Sequence, residues 1–165
     1  MGQVIGATLD NGYAGMFARQ PDSIIDTRFA GAALGFGIPV KYDASKNVVP
    51  FGSGDAATAF VGITGAEVKT CLTYGGNVGS YATGEAVPVM KRGRVNVKCN
   101  VGTPALDGDV YVRIVANALI PAGVVGEIEA AADSTNTIKL TNAKFAGAAD
   151  ANGIVELEIF SAINA

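Results

Sequence analysis

Beyond residue 31 the chain is a series of short runs rich in β-branched residues, separated by Gly, Pro, Asn and Asp. Short runs at this close spacing are typical of an all-β barrel or sandwich. The runs predict strands at residues 37–42, 59–64, 85–91, 94–100, 109–115, 124–130, 137–141 and 153–160.

Three of these runs alternate strictly between apolar and polar residues. Successive side chains of a strand point to opposite faces, so each run is expected to place one face in a core. Strands with one polar face are typical of antiparallel sheets. The apolar positions are Val95, Val97 and Cys99, then Val110, Val112 and Ile114, and finally Val155, Leu157 and Ile159.

Evidence for helices is thin. Residues 127–146 form the only long span without Gly or Pro, and the middle of that span, Ser134 to Thr137, favours other structures. The span predicts two strands around a turn, with a short helix at residues 127–133 as the alternative. The predicted fold class is therefore all-β, a small antiparallel β-barrel or sandwich-like module over residues 31–165.

Residues 1–30 differ from the rest of the chain. Large apolar residues such as Tyr13, Phe17, Ile24 and Phe29 occur there among turn signals, with no sustained period of 2 or 3.6. A disordered tail would be poorer in such residues. We therefore predict an extended N-terminal arm that lies on a partner, divided from the β-barrel-like domain near residue 30.

Composition narrows the possible functions. The chain has no His, which excludes imidazole-based catalysis and the usual zinc sites. A net charge of -3 does not give the basic field of a dedicated nucleic-acid binder. Neither a secretory signal nor a membrane span is indicated, so we expect a soluble product of a cytoplasm. Cys71 and Cys99 lack metal-site spacing and are expected to stay unbridged.

Two patterns could carry chemistry. Residues 52–57 match a dinucleotide fingerprint by letters, but Gly62 follows too soon for a crossover helix, so we predict a plain loop. The pairs Glu127/Glu129 and Glu156/Glu158 could hold a cation or act as glycosidase carboxylates. Without Trp sugar platforms, a solvated or partner-facing strand surface is the favoured interpretation. No cofactor, metal or catalytic residue is predicted.

One basic cluster comprises Lys91, Arg92, Arg94 and Lys98. It could grip phosphates, but no aromatic residue interleaves to stack on bases. We expect these side chains to pair with acidic strands of this chain or of a neighbouring subunit.

The order of several short motifs resembles the structural cement, or capsid decoration, proteins of tailed bacteriophages. The likeness covers roughly residues 30 to 160, and the ordered set is more specific than any one motif. The motifs are Gly35-Phe36-Gly37-Ile38-Pro39-Val40, Phe60-Val61-Gly62-Ile63, the stretch from Tyr81 through Lys91-Arg92-Gly93-Arg94 to Val97, Gly108-Asp109-Val110-Tyr111-Val112, Asn142-Ala143-Lys144-Phe145 and Gly153-Ile154-Val155-Glu156-Leu157.

This resemblance implies a non-enzymatic decoration module, trimeric, on the outer surface of a virion capsid at three-fold and quasi-three-fold junctions. It also implies an arm that reaches over the shell or a neighbouring subunit. The implied partners are the major capsid protein and further copies of the chain, with no membrane or nucleic acid. Assembly would take place in the bacterial host cytoplasm. The alternatives are a tail or baseplate β-module and, less favoured, a carboxylate-based carbohydrate-active enzyme. The residues expected at the capsid or subunit interface are Tyr13, Phe17, Arg19, Ile24, Phe29, Lys91, Arg92, Arg94 and Lys98.

Overall fold

A computed structural model describes residues 11–67 and 79–161, without the side chains of residues 20 and 21. Over these residues the only helical elements are two 3-10 turns, Ala57–Ala59 and Ser134–Asn136, so the all-β prediction is confirmed. The strands are β1 (Phe17–Phe29), β2 (Leu34–Gly35), β3 (Pro39–Tyr42), β4 (Val48–Pro50), β5 (Gly62–Thr64), β6 (Ser80–Tyr81), β7 (Ala86–Lys98), β8 (Asp109–Arg113), β9 (Ile128–Glu129), β10 (Thr137–Phe145) and β11 (Ile154–Ile159).

The strands form one curled antiparallel sheet and a small separate pair, β2 with β6. The order in the main sheet is β4-β3-β5-β7-β11-β10-β8-β9, and β1 also pairs with β7. The curl returns β9 to the chain beyond β7, where the Asn100 amide donates to the Ile128 carbonyl and the Ala130 amide to the Val101 carbonyl. The main sheet is thereby curled like half of a barrel.

Two apolar clusters fill the fold, and β7 contributes to both. Val87 and Val89 belong to the smaller cluster, whereas Met90, Val95 and Val97 belong to the larger one. Strict alternation would place residues 89 and 95 on the same face. The face switches where β7 has one extra residue against β1, between Met90 and Arg92, and the adjoining Gly93 has a φ of +116°.

Gly93 is required there for space as well as for its backbone angle. A Cβ at this position would lie 2.8 Å from the carbonyl oxygen of Asp22 on β1. The bulge explains why one continuous strand, β7, replaces the two strands predicted at residues 85–91 and 94–100.

The other predicted strands are present with shifted ends. Those at 109–115 and 153–160 shorten slightly, the one at 137–141 lengthens, and the one at 59–64 begins with a 3-10 turn. The strand predicted at 124–130 is wrong over most of its length, because only Ile128–Glu129 pairs. The alternative helix at 127–133 is also wrong, since β9 lies inside it.

The described part of the predicted arm is regular structure docked on its own chain. Strand β1 runs antiparallel to β7 from Phe17 opposite Val95 to Phe29 opposite Ala86, with register shifts between Phe17 and Ile25. Before it, the Gly15 amide donates to the Asn96 carbonyl and Asn11 is hydrogen-bonded to Asp150. The prediction of an arm that lies on a partner did not foresee this docking on β7, because the register shifts break the alternation that would indicate a strand. The division of the chain at residue 30 stays a prediction.

Candidate interaction surface

Three members of the basic cluster predicted on β7, Lys91, Arg92 and Arg94, are paired with acids of the same chain. Arg94 contacts Glu156 at 3.1 Å and Glu158 at 2.7 Å, and Arg19 on β1 shares Glu156 at 2.8 Å. Burial opposes ionisation of Glu156, but hydrogen bonds from both arginines outweigh it and lower its pKa. The sequence left open whether the acidic partners belong to this chain or to a neighbouring subunit. Arg19 and Arg94 pair with glutamates on β11 of their own chain.

A second group of charges joins β1, β3 and β7. Lys91 lies 2.7 Å from Asp26, which Arg28 contacts at 3.0 Å, and Arg28 donates a hydrogen bond to the Tyr42 hydroxyl. The hydrogen bond from Lys91 lowers the pKa of Asp26. Arg92 pairs with Asp22 at 2.8 Å, with both side chains largely in water. The Lys91–Asp26 and Arg28–Tyr42 contacts link β1 to β7 and to β3.

The apolar residues of the predicted interface divide into two groups. Tyr13, Ile24 and Phe29 are 55%, 48% and 62% exposed, so they remain available to a partner. Phe17 instead packs against the chain's own larger core. The structure therefore gives Phe17 an internal role and leaves the other three on the surface.

Lys98 and Tyr13 line a groove of about 570 Å³, which we call the Tyr13 groove. Its apolar walls include Phe36, Ile38 and Ile128. Lys98 is exposed and forms no ion pair within residues 11–67 and 79–161. The groove combines residues from five separate parts of the chain, so no local pattern indicates it.

An exposed apolar feature that sequence reasoning missed is the loop between β8 and β9, residues 114–127. Leu119 at its tip is 90% exposed, and Val124 and Val125 are 47% and 40% exposed. Between Arg113 and Glu127 the sequence has no charged residue. Loops of this length without secondary structure are uncommon in compact domains and are usually functional. The absence of charge is the sequence feature that could indicate this exposed loop, but the sequence analysis predicts a strand over its last residues, 124–130.

A buried charge network supports this loop. The side chains of Arg113 and Glu129 are both fully buried and joined by two hydrogen bonds, one of 2.8 Å between Nη2 and Oε2. Arg113 Nη1 also contacts Asp133 at 2.8 Å, and the hydrogen bond to Glu129 raises the pKa of Arg113. The interpretation of the Glu127/Glu129 pair as a solvated or partner-facing strand surface is wrong for Glu129, because the loop folds over Glu129 and Arg113.

Gly123 brings the loop backbone directly onto the Arg113 guanidinium. A Cβ at Gly123 would lie closer than van der Waals contact to Nε and Cζ of Arg113 and to Oε1 of Glu129. Only a residue without a side chain fits there. The loop is thus seated on the buried ion pair by close packing.

The glutamate pairs that were candidates for chemistry are held by other side chains of the same chain. Glu127 accepts a hydrogen bond from Asn100, while Glu129, Glu156 and Glu158 are paired with arginines. No group of three potential metal ligands occurs in the described parts of the chain. The fingerprint at residues 52–57 is the predicted loop, in which the Gly52 amide donates to Asp55 and a 3-10 turn follows.

Cys99 is a free thiol that packs partly against the larger core. Burial raises its pKa. Cys71 lies outside the described residues, so its state stays a prediction. Among the helices that the structure describes, none is long and apolar enough to cross a membrane.

Comparisons with known proteins agree with the resemblance noted in the sequence. A sequence profile of the family described as structural cement protein (E217 gp24/Pam3 gp6) matches residues 1–160. A chain of the solved structure "The capsid of Myoviridae Phage XM1" is similar in fold, with a TM-score of 0.65, 14% sequence identity and coverage of 96% of each chain. A search of curated proteins finds no match.

Proposed function

Because the chain belongs to the family of phage structural cement proteins, with a match over residues 1–160, we propose that it binds the outer surface of the capsid as a homotrimer. Its role is structural: it stabilises a capsid. The partners proposed are the major capsid protein and further copies of this chain, in a virion assembled in the host cytoplasm.

The observation that carries the proposal is the match over nearly the whole chain, together with a surface suited to binding. Exposed large apolar side chains include Phe29 on the N-terminal segment and Leu119 on the β8–β9 loop. Apolar surface left in water favours binding to a partner that covers it. A capsid and neighbouring copies are the partners that would cover them.

We also propose that the protein has no catalytic activity. Both carboxylates of the Glu156/Glu158 pair are held by Arg94, which favours a structural role. Burial opposes ionisation of Glu156, but hydrogen bonds from Arg19 and Arg94 outweigh it and lower the pKa of Glu156. A glycosidase acid needs the opposite, a carboxyl whose pKa is raised so that it holds a proton.

The capsid role is tested on particles assembled without this protein. Purified protein added back should bind saturably and raise the temperature at which a dye reaches the packaged genome. An equal amount of thermally unfolded protein is the control. Particles that neither bind the protein nor gain thermal stability would contradict the proposal.

A further inference from the structure

We propose that the β8–β9 loop of one copy inserts into the Tyr13 groove of a neighbouring copy. This inference rests on the self-association put forward above and names the two surfaces that make the contact. It concerns the subunit interface and leaves the surface that meets the capsid unassigned.

The loop has the composition of a buried contact although it is exposed. Leu119 is the most exposed of the large apolar side chains in the described residues, and Val124 and Val125 of the same loop are also exposed. No charge interrupts the loop between Arg113 and Glu127. Interface cores are depleted in charged residues, so this loop would enter an apolar site without desolvating an ion.

The loop is also held in one shape before any partner binds. The Asn117 carbonyl accepts from the Ile120 amide at 2.9 Å, and the Ile120 carbonyl accepts from the Gly123 amide at 3.0 Å. Beneath these turns Gly123 rests on the Arg113 side chain, which Glu129 fixes in place. A loop ordered in advance loses little conformational entropy on binding.

The Tyr13 groove offers a matching site. Its volume of about 570 Å³ lies within the range of roughly 300–1,000 Å³ typical of binding pockets. Phe36, Ile38 and Ile128 supply apolar wall, and the charged lining among the described residues is Lys98 and Glu127. Residues 116–126 contribute nothing to this lining, although the foot of the loop, Glu127, does. A chain's own loop therefore does not fill its own groove.

A second copy is the occupant that these features favour, because projection and groove occur on the same chain. Two different surfaces that fit one another make a heterologous contact, which closes into a ring when the rotation between subunits is a simple fraction of a turn. A trimer has that symmetry. An apolar pocket on the capsid is the competing occupant of the same loop.

Cysteine cross-linking tests the contact directly in the full-length protein. Leu119→Cys combined with Tyr13→Cys should give reducible, covalently linked oligomers on mild oxidation, since both positions are exposed and the proposal brings them together. The matched control is Leu106→Cys with Tyr13→Cys. Leu106 lies in the loop between β7 and β8, is 70% exposed, and belongs neither to the β8–β9 loop nor to the Tyr13 groove. The unmodified protein measures background from the native thiols.

Three results are distinguishable. Cross-linking well above the control in a protein that light scattering finds oligomeric would support the contact. An oligomer that links no better than the control would overturn it while leaving the proposed function standing. A monomer at tens of micromolar would overturn this contact and the trimer together, and the capsid-binding assay would then judge the remaining function.

A charge at the loop tip provides the second measurement. Leu119→Asp should raise the dissociation constant for self-association at least about tenfold, because a carboxylate replaces a buried leucine, whereas Leu106→Asp should change it little. If Leu119→Asp leaves self-association intact and abolishes capsid binding instead, the loop meets the capsid and the proposal is wrong.

Discussion

The Arg113–Glu129 pair and the Arg92–Asp22 pair have the same chemistry and each includes a contact of 2.8 Å, yet they differ in their surroundings. Both side chains of the first pair are fully buried, whereas those of the second are 46% and 72% exposed. Water can replace a lost partner at the exposed pair but has no access to the buried one. The Arg113–Glu129 pair therefore determines whether the β8–β9 loop keeps its shape. The Arg92–Asp22 pair adds little to the stability of the pairing between β1 and β7.

The largest effect is expected from removing the fully buried partner of Arg113, which then keeps only its contact with the less deeply buried Asp133. Glu129→Gln removes the carboxylate from Arg113 and should lower the free energy of unfolding by about 3–5 kcal/mol in urea denaturation. Replacing both partners, with Arg113→Met and Glu129→Leu, should recover much of that loss. A single variant that costs less than about 1 kcal/mol would show that solvent reaches the pair.

A smaller effect is expected from disturbing the loop above the same pair. Gly123→Ala places a methyl group against the guanidinium and should cost about 1–3 kcal/mol through local overpacking. Gly147→Ala is the matched control, since a Cβ there meets nothing within 4 Å. Equal stability of the two variants in urea would contradict the close seating of the loop.

The exposed networks should respond to pH. Hydrogen bonds from Lys139 and Lys144, each 2.6 Å long, lower the pKa of Asp109 to about 2. Because the folded pKa lies below the usual value of about 4, this carboxylate stabilises the fold above that pH and stops doing so as the pH falls through about 2.

The measurement compares melting temperatures of the protein and of Asp109→Asn from pH 7 to pH 1.5. The difference between them should be widest above about pH 4 and should close near pH 2. A difference that stays constant over this interval would mean that the lysines do not stabilise the ionised form. High salt should narrow the difference at neutral pH, because exposed pairs are screened.

The smallest effect is expected at the most exposed pair. Asp22→Asn removes the partner of Arg92 and should change the free energy of unfolding by no more than about 0.5 kcal/mol. A loss comparable to that of Glu129→Gln would erase the distinction between the two pairs. Urea denaturation under identical conditions compares them.

The parts of the fold predicted from sequence are those set by local alternation. Val95, Val97, Val110, Val112, Val155 and Leu157 were all expected in the core and all are fully buried. Each depends only on a period of two within its own strand. The ends of the strands were less well predicted, because pairing partners decide where a strand stops.

Burial of polar residues could not be predicted in this way. Asn96 lies on the expected polar face of β7 but is 2% exposed, since residues 11–16 of the N-terminal segment cover it. Arg113 is buried beneath the β8–β9 loop, whose Gly123 packs on the guanidinium, and Arg113 also pairs with Asp133. Such coverings join distant parts of the chain and leave no local period.

The candidate surfaces were predicted only in part for the same reason. The basic cluster is visible as adjacent letters, and the sequence predicts acidic partners on strands of this chain or of a neighbouring subunit. Arg94 has such partners on β11, whereas Lys91 and Arg92 pair with aspartates of β1. The Tyr13 groove combines positions as far apart as Tyr13, Phe36, Lys98 and Ile128, which only the fold brings together.

Electron cryomicroscopy of the particle tests the central claim most directly, by comparing capsids assembled with and without this protein. The account predicts added density on the outer surface, shaped like three copies of the fold around each three-fold position, and its absence from particles made without the protein. Identical reconstructions, or density confined to the tail or to the inner face of the shell, would contradict the account.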